Sequence, residues 1–191
     1  MITKGLMSSN SDEWGTPKST FDYLNKIYGF TLDVCASEFN RKLDNYYSIE
    51  DNALEQDWNG VVWCNPPYSK GLQTEFIKKA IREVLNNRNC QKIVMLIPAR
   101  TDTKNFHDLI VGQASEVHFI KGRIEFLKSN GGKSQSSPFP SMLVIFQLNT
   151  NGQTIFKTRD DLPRKDLFML DYYKLKNNRK SVKDGNWGLD Y

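Results

Sequence analysis

An apolar run that ends in two adjacent prolines constrains this chain more than any other stretch: Val61-Val62-Trp63-Cys64-Asn65-Pro66-Pro67-Tyr68. Its β-branched and aromatic content predicts a short buried strand over 61–64. Pro66 and Pro67 have no backbone N–H to donate, so strand pairing must stop there and the chain is held stiff. Each proline also pushes the residue before it into extended geometry, which fixes Asn65 and the Pro66 carbonyl in direction. The expected product is a rigid loop at the carboxyl end of a strand. It presents an amide oxygen, a carbonyl and the face of Tyr68. Two such acceptors can take both protons of an exocyclic amino group and turn its lone pair away from the protein. The tyrosine can stack on the attached ring, a contact worth roughly 1–3 kcal/mol for a nucleobase. The plainer alternative is a strand, a proline turn and a packing tyrosine.

Length and charge set the frame around that loop. The 191 residues suit one domain with a sizeable core and an extension. A net charge of +4 and a pI near 8.9 make nucleic acid a natural partner without excluding others. Cys35, Cys64 and Cys90 are widely spaced and form no CxxC, which reads as reduced thiols of a cytosolic protein. His107 and His118 have no carboxylate or thiol at ligand spacing, so no catalytic metal is expected. No secretion signal and no apolar run near membrane-spanning length appears, so a soluble cytoplasmic protein is expected.

Along the chain, residues 1–12 are small and polar and are expected to be loose. Thr16-Pro17 reads as a helix start, with the Thr16 hydroxyl as N-cap and Pro17 at the first helical position. Phe21, Leu24, Ile27 and Tyr28 follow at helical spacing and Gly29 closes the helix. Trp14 would then staple the helix entrance. Phe30 to Val34 alternates like a strand and places Asp33 at its carboxyl end, followed by the small residues Ala36 and Ser37. That is where open α/β sheets bind cofactors, although a surface aspartate would look the same. In Glu50-Asp51-Asn52-Ala53-Leu54 an Asp or Asn side chain either meets an adenine amino group or caps a short helix, the cap being the commoner use. Thr74 to Leu85 is an amphipathic helix. Lys92 to Pro98 reads as a buried strand, with Arg100 just beyond it. Strand, helix and strand in succession imply parallel pairing, which brings the ends near Asp33, Asn65 and Arg100 to one edge of the sheet. Residues 105–112 form a short helix and 116–120 a strand, followed by the basic turn Lys121-Gly122-Arg123. A glycine-rich loop with Lys133 comes next, then Ser141 to Leu148 as a final strand in antiparallel hairpin pairing with the 116–126 region. From 150 onward the chain is polar. Tyr172 to Lys183 is basic with interleaved aromatics, which suits either a nucleic-acid backbone or a solvated tail.

Trp14-x-Thr16-Pro17, Asp33-Val34-Cys35-Ala36-Ser37, Asn65-Pro66-Pro67-Tyr68, Pro98-Ala99-Arg100-Thr101-Asp102 and Lys121-Gly122-Arg123-Ile124-x-Phe126 occur in one order. In this the chain resembles the small phage-type DNA N6-adenine methyltransferases over roughly residues 12–148. The resemblance implies an α/β, Rossmann-like methyltransferase sheet, mostly parallel with a C-terminal antiparallel hairpin. It also implies S-adenosylmethionine as methyl donor, DNA as partner and the cytoplasm of a bacterial host as location. Carried over by position, Trp14, Thr16, Pro17, Asp33, Ala36, Asn52 and Asn65 would hold the donor. Asn65, Pro66, Pro67 and Tyr68 would form the amino-group loop. The chain departs from the wider methyltransferase pattern in having no glycine-rich turn after its first strand. Too few residues separate Asp33 from the central strand to hold a recognition domain, so DNA contacts are expected from Arg100, Lys121, Arg123 and Lys133. The expected organisation is a flexible segment at 1–12, a methyltransferase domain at 13–149 and a basic extension at 150–191. A monomer is the default. An RNA or protein-glutamine amino methyltransferase, and a non-catalytic DNA-binding protein on the same fold, are the competing readings.

Overall fold

The computed structural model describes residues 14–69, 71–128, 135–148 and 151–166. The expected loose segment at 1–12, Lys133 and the basic run Tyr172 to Lys183 lie outside these residues. A six-stranded sheet runs in the order β2-β3-β4-β8-β5-β9. Its strands are β2 (Leu32–Asp33), β3 (Gly60–Cys64), β4 (Cys90–Pro98), β5 (Glu116–Ile120), β8 (Ser141–Phe146) and β9 (Ile155–Arg159). β2, β3 and β4 pair in parallel, as do β5 and β9, and β8 lies antiparallel between β4 and β5. Five of the six strands therefore point one way, and their carboxyl ends share one edge. Three short strands, β1 (Trp14–Gly15), β6 (Glu125–Lys128) and β7 (Gln135–Ser136), form a separate antiparallel sheet.

The central strands β3, β4 and β8 carry buried runs that use both faces, whereas the edge strand β9 is exposed along most of its length. Side-chain alternation sorts the buried residues into two cores. Val62, Cys64, Ile93, Met95, Ile97, Met142, Val144 and Phe146 face one side with α2 (Leu72–Asn86) and a π-helix, Asn105–Ile110. Trp63, Val94, Leu96, Leu143 and Ile145 face the other with Phe21 and Leu24 of α1 (Lys18–Tyr28). On that second side Trp63 meets Phe21 edge-on, ring centroids 5.7 Å apart. Trp58, fully buried, locks the loop before β3: its Nε1–H donates to the Ala53 carbonyl at 2.8 Å and its backbone N–H to Glu83 at 3.0 Å. Glu83 is itself paired with Lys79 at 2.5 Å on α2.

Three expectations are corrected. Ser141–Phe146 does pair antiparallel with the 116–119 region, but it is neither the last strand nor half of a hairpin. It inserts between β4 and β5 after a connection that carries β6 and β7, and β9 follows it. Residue 150 is not where the folded unit ends, because β9 completes the main sheet and Leu162 is buried in the second core. Thr16 does not cap α1. Pro17 is the N-cap residue, and the Ser19 N–H is taken by the Asp166 carboxylate at 2.8 Å, with Thr20 donating to the Pro163 carbonyl. One N–H of the first turn is thus satisfied by a group 147 residues away in sequence.

Candidate active site

The parallel strands bring Asp33, Asn65 and Pro98 to the same edge, where ligands of open α/β sheets bind. Two clefts open there, one on each side of the Asn65–Tyr68 loop. The first is lined by Asn65, Pro66 and Pro67, by Gly15 and Thr16, and by the 33–53 segment from Asp33 to Ala53. The second is lined by Tyr68, the start of α2, Pro98, Arg100 and the residues leading into the π-helix. Ser69 belongs to both.

The wall of the first cleft is built on β2. Beyond the strand the chain loops round and returns parallel to its end: Tyr47 N–H donates to the Asp33 carbonyl at 2.8 Å and Ala36 N–H to the Tyr47 carbonyl at 3.1 Å. The Asp33 carboxylate, only 2 % exposed, accepts the Cys35 N–H at 3.3 Å and the Lys42 N–H at 3.1 Å. Burial pushes its pKa from 3.8 up to about 6, against the pull of those two N–H groups. Burial likewise lowers the Lys42 ammonium, with Asp33 opposing. Asp33 therefore organises the loop that forms the cleft as well as lining it. Across from it, β1 pairs with Leu127 and Lys128 and so carries Gly15 and Thr16 to the cleft. Thr16 is 2 % exposed, and its hydroxyl is buried without a hydrogen-bond partner. A buried hydroxyl is normally paired, which sets Thr16 apart among the residues of this cleft wall.

At the loop itself, Tyr68 donates its hydroxyl to Asn65 Oδ1 at 2.9 Å, and its ring meets Phe126 edge-on at 6.3 Å. Desolvation, with Cys64 and Cys35 adding, pushes the phenol pKa upward, so the hydroxyl stays a donor. An amide oxygen has two lone pairs. Asn65 Oδ1 can therefore accept two hydrogen bonds, one of them from Tyr68. The Cys35 and Cys64 sulfurs lie 3.6 Å apart as free thiols, and Cys35 lines the first cleft.

Of the expected donor-site residues, Thr16, Asp33, Ala36 and Asn65 line the first cleft. Asn52 does not. It sits in a turn with φ 53, while its neighbours Ile49 and Ala53 face the cleft. Asp51 caps no helix, since its carboxylate accepts the Ser48 N–H and O–H, both at 2.7 Å. Trp14 is in β1, and Pro17 is the α1 N-cap residue. Asn40, Lys42 and Tyr47 also line the cleft, and sequence reasoning missed them. The polar stretch with scattered aromatics at 39–60 is the signal that could have found them. Among the expected DNA contacts, Arg100 lines the second cleft, and its guanidinium lies 4.2 Å from the centre of the Phe139 ring. Lys121 and Arg123 are exposed on the turn after β5, at the same edge, and Arg123 reaches the Ser137 carbonyl at 3.4 Å. Among the described residues no group of three or more His, Cys, Asp or Glu gathers, and no helix is long and apolar enough to cross a membrane.

Comparison with known proteins adds the context. The family model described as DNA N-6-adenine-methyltransferase (Dam) matches residues 4–169. The DNA N-6-adenine-methyltransferase of Haemophilus phage HP1 (strain HP1c1) is 38% identical over 154 residues, covering 77% of this chain and 86% of that one. The DNA N-6-adenine-methyltransferase of Escherichia phage T1 is 32% identical over 167 residues, covering 78% of this chain and 63% of that one.

Proposed function

The chain belongs to the DNA N-6-adenine-methyltransferase (Dam) family, and from that premise we propose how its residues methylate the N6 amino group of adenine in DNA. The sheet is read as the Rossmann-like sheet of an S-adenosylmethionine-dependent methyltransferase, with the donor in the first cleft and the base approaching from the Tyr68 side. The observation that carries this reading is the position of the Asn65–Tyr68 loop, which borders both clefts at once.

The first cleft fits the donor. Its orphaned Thr16 hydroxyl supplies an unused polar group, Asp33, Asn40 and Lys42 supply further ones, and Trp63, Ile49 and Phe76 supply apolar wall. S-adenosylmethionine brings an electrophilic methyl group on a sulfonium centre. The protein's part is positioning. An adenine paired in a duplex cannot reach the loop, so it is flipped out at a cost of a few kcal/mol. Tyr68 stacks on the ring. Asn65 Oδ1 and the Pro66 carbonyl accept hydrogen bonds from the two amino N–H groups and aim the nitrogen lone pair across the loop. The Tyr68 hydroxyl, donating to Oδ1, keeps the oxygen end of the Asn65 amide turned to the base. No covalent enzyme intermediate is required, and alignment of this kind accounts for large rate factors. Arg100, Lys121, Arg123 and Lys133 are assigned to the DNA backbone.

Incubation with tritiated S-adenosylmethionine and separate DNA, RNA and protein acceptors, followed by digestion to nucleosides or amino acids, tests the reading. Label in N6-methyldeoxyadenosine is expected. Label in RNA or glutamine would overturn the acceptor, and no transfer at all would overturn the activity.

A further inference from the structure

Beside the second cleft an aromatic side chain stands open to solvent. Phe139 is 41 % exposed. Single exposed apolar residues are common and need no explanation, but this one is set in a particular frame. Pro138 and Pro140 flank it and stiffen the loop. The loop is pinned at both ends: the Pro140 carbonyl accepts the Ala99 N–H at 2.8 Å, and the Ser137 N–H donates to the Ile124 carbonyl at 2.9 Å. Two cations converge on it from other loops, Arg100 over the ring face at 4.2 Å and Arg123 against the Ser137 carbonyl at 3.4 Å. Arg100 and Tyr68 line the same cleft, and Phe139 packs against Arg100 at the side of it. Phe39, exposed at 95 %, has no such frame, because its neighbours Ser37 and Asn40 line the donor cleft.

We infer that Phe139 is a positioning residue that enters the duplex where the target adenine leaves it, with Arg100 and Arg123 holding the flanking phosphates. The inference rests on the methyltransferase reading above. Apolar wedges between base steps are a recurrent means of offsetting lost stacking. An exposed cation–π contact is weak, about 0.5–1 kcal/mol, so Arg100 can exchange the ring for a phosphate when DNA arrives.

The test compares wild type, Phe139→Ala and Phe139→Trp on the DNA word that the wild-type enzyme methylates. One duplex has the target adenine paired, and another has it opposite an abasic site, where flipping is already easy. Phe139→Ala should lose at least about 10-fold in kcat/KM on the paired duplex and stay within about 3-fold of wild type on the abasic one, while Phe139→Trp retains activity on both. With 2-aminopurine at the target position, fluorescence should rise on binding wild type and rise much less with Phe139→Ala bound to the same extent. Equal losses on both duplexes, or no loss on either, would overturn the wedge, and calorimetric donor binding by each variant checks that the fold is retained. Methylation of the paired duplex by wild type tests the underlying activity separately.

Discussion

Replacing Asp33 by asparagine isolates the electrostatics of the cleft wall. The carboxyl is 2 % exposed and its pKa is raised from 3.8 to about 6, chiefly by burial. At ~1.36 kcal/mol per pKa unit the gap corresponds to about 3 kcal/mol. The folded state holds this proton more tightly than the unfolded chain does. The stabilising contribution is therefore complete below the unfolded value and is lost as pH rises through about 6. Between about pH 7.5 and about pH 5, binding of that proton should stabilise the wild type by about 1.4 kcal/mol. The asparagine of the variant carries no titrating proton. Its amide can also turn an N–H toward the backbone N–H groups of Cys35 and Lys42, which donate to a carboxylate oxygen in the wild type. Losing that acceptor costs the variant about 1–3 kcal/mol, a cost felt fully at low pH and offset above about pH 6, where the wild type buries a charge and the variant does not. Urea unfolding of the ligand-free protein, followed by tryptophan fluorescence across that pH range, measures both effects. The stability difference, wild type minus Asp33→Asn, should grow by about 1.4 kcal/mol as pH falls. A difference that shrinks with falling pH would mean that Asp33 is held ionised in the fold and would refute the argument.

Three other perturbations follow from the contacts described above. Tyr68→Phe keeps the ring and removes the hydroxyl that orients Asn65; turnover should fall about 5- to 10-fold with KM for DNA unchanged, in steady-state kinetics. Arg123→Ala should weaken DNA binding and lower the slope of log K against log salt by about 1, leaving donor binding intact; unchanged DNA affinity removes Arg123 from the interface. Glu83→Ala strands the buried Lys79 ammonium and the Trp58 N–H, so thermal or urea denaturation should show a loss of about 3–5 kcal/mol.

What the sequence made legible was what is local. β3 and its proline loop were readable because β-branched residues run straight into residues that cannot pair. Helix α2 was readable because Phe76, Ile77 and Ala80 recur at its period. The parallel β3-α2-β4 unit followed from element order, and with it the shared edge that carries Asp33, Asn65 and Arg100. What was hidden depends on distant partners. Asp166 supplies the hydrogen bond at the start of α1 that Thr16 was expected to supply, and Thr16 is left facing the cleft instead. The wall carrying Asn40, Lys42 and Tyr47 is held by backbone pairing with the end of β2, which no side-chain pattern reveals. β8 inserts between two strands that precede it in sequence, so adjacency in the chain misplaced it. The Arg100–Phe139 contact joins two loops and had no trace in either.

The central claim is that Asn65 holds the amino group that receives the methyl. Single-turnover methyl transfer by Asn65→Ala, on saturating DNA and S-adenosylmethionine, tests it most directly, with donor affinity measured by calorimetry on the same preparation. The account predicts a rate lower by about 100-fold or more at nearly unchanged donor affinity. Transfer at close to the wild-type rate would contradict it.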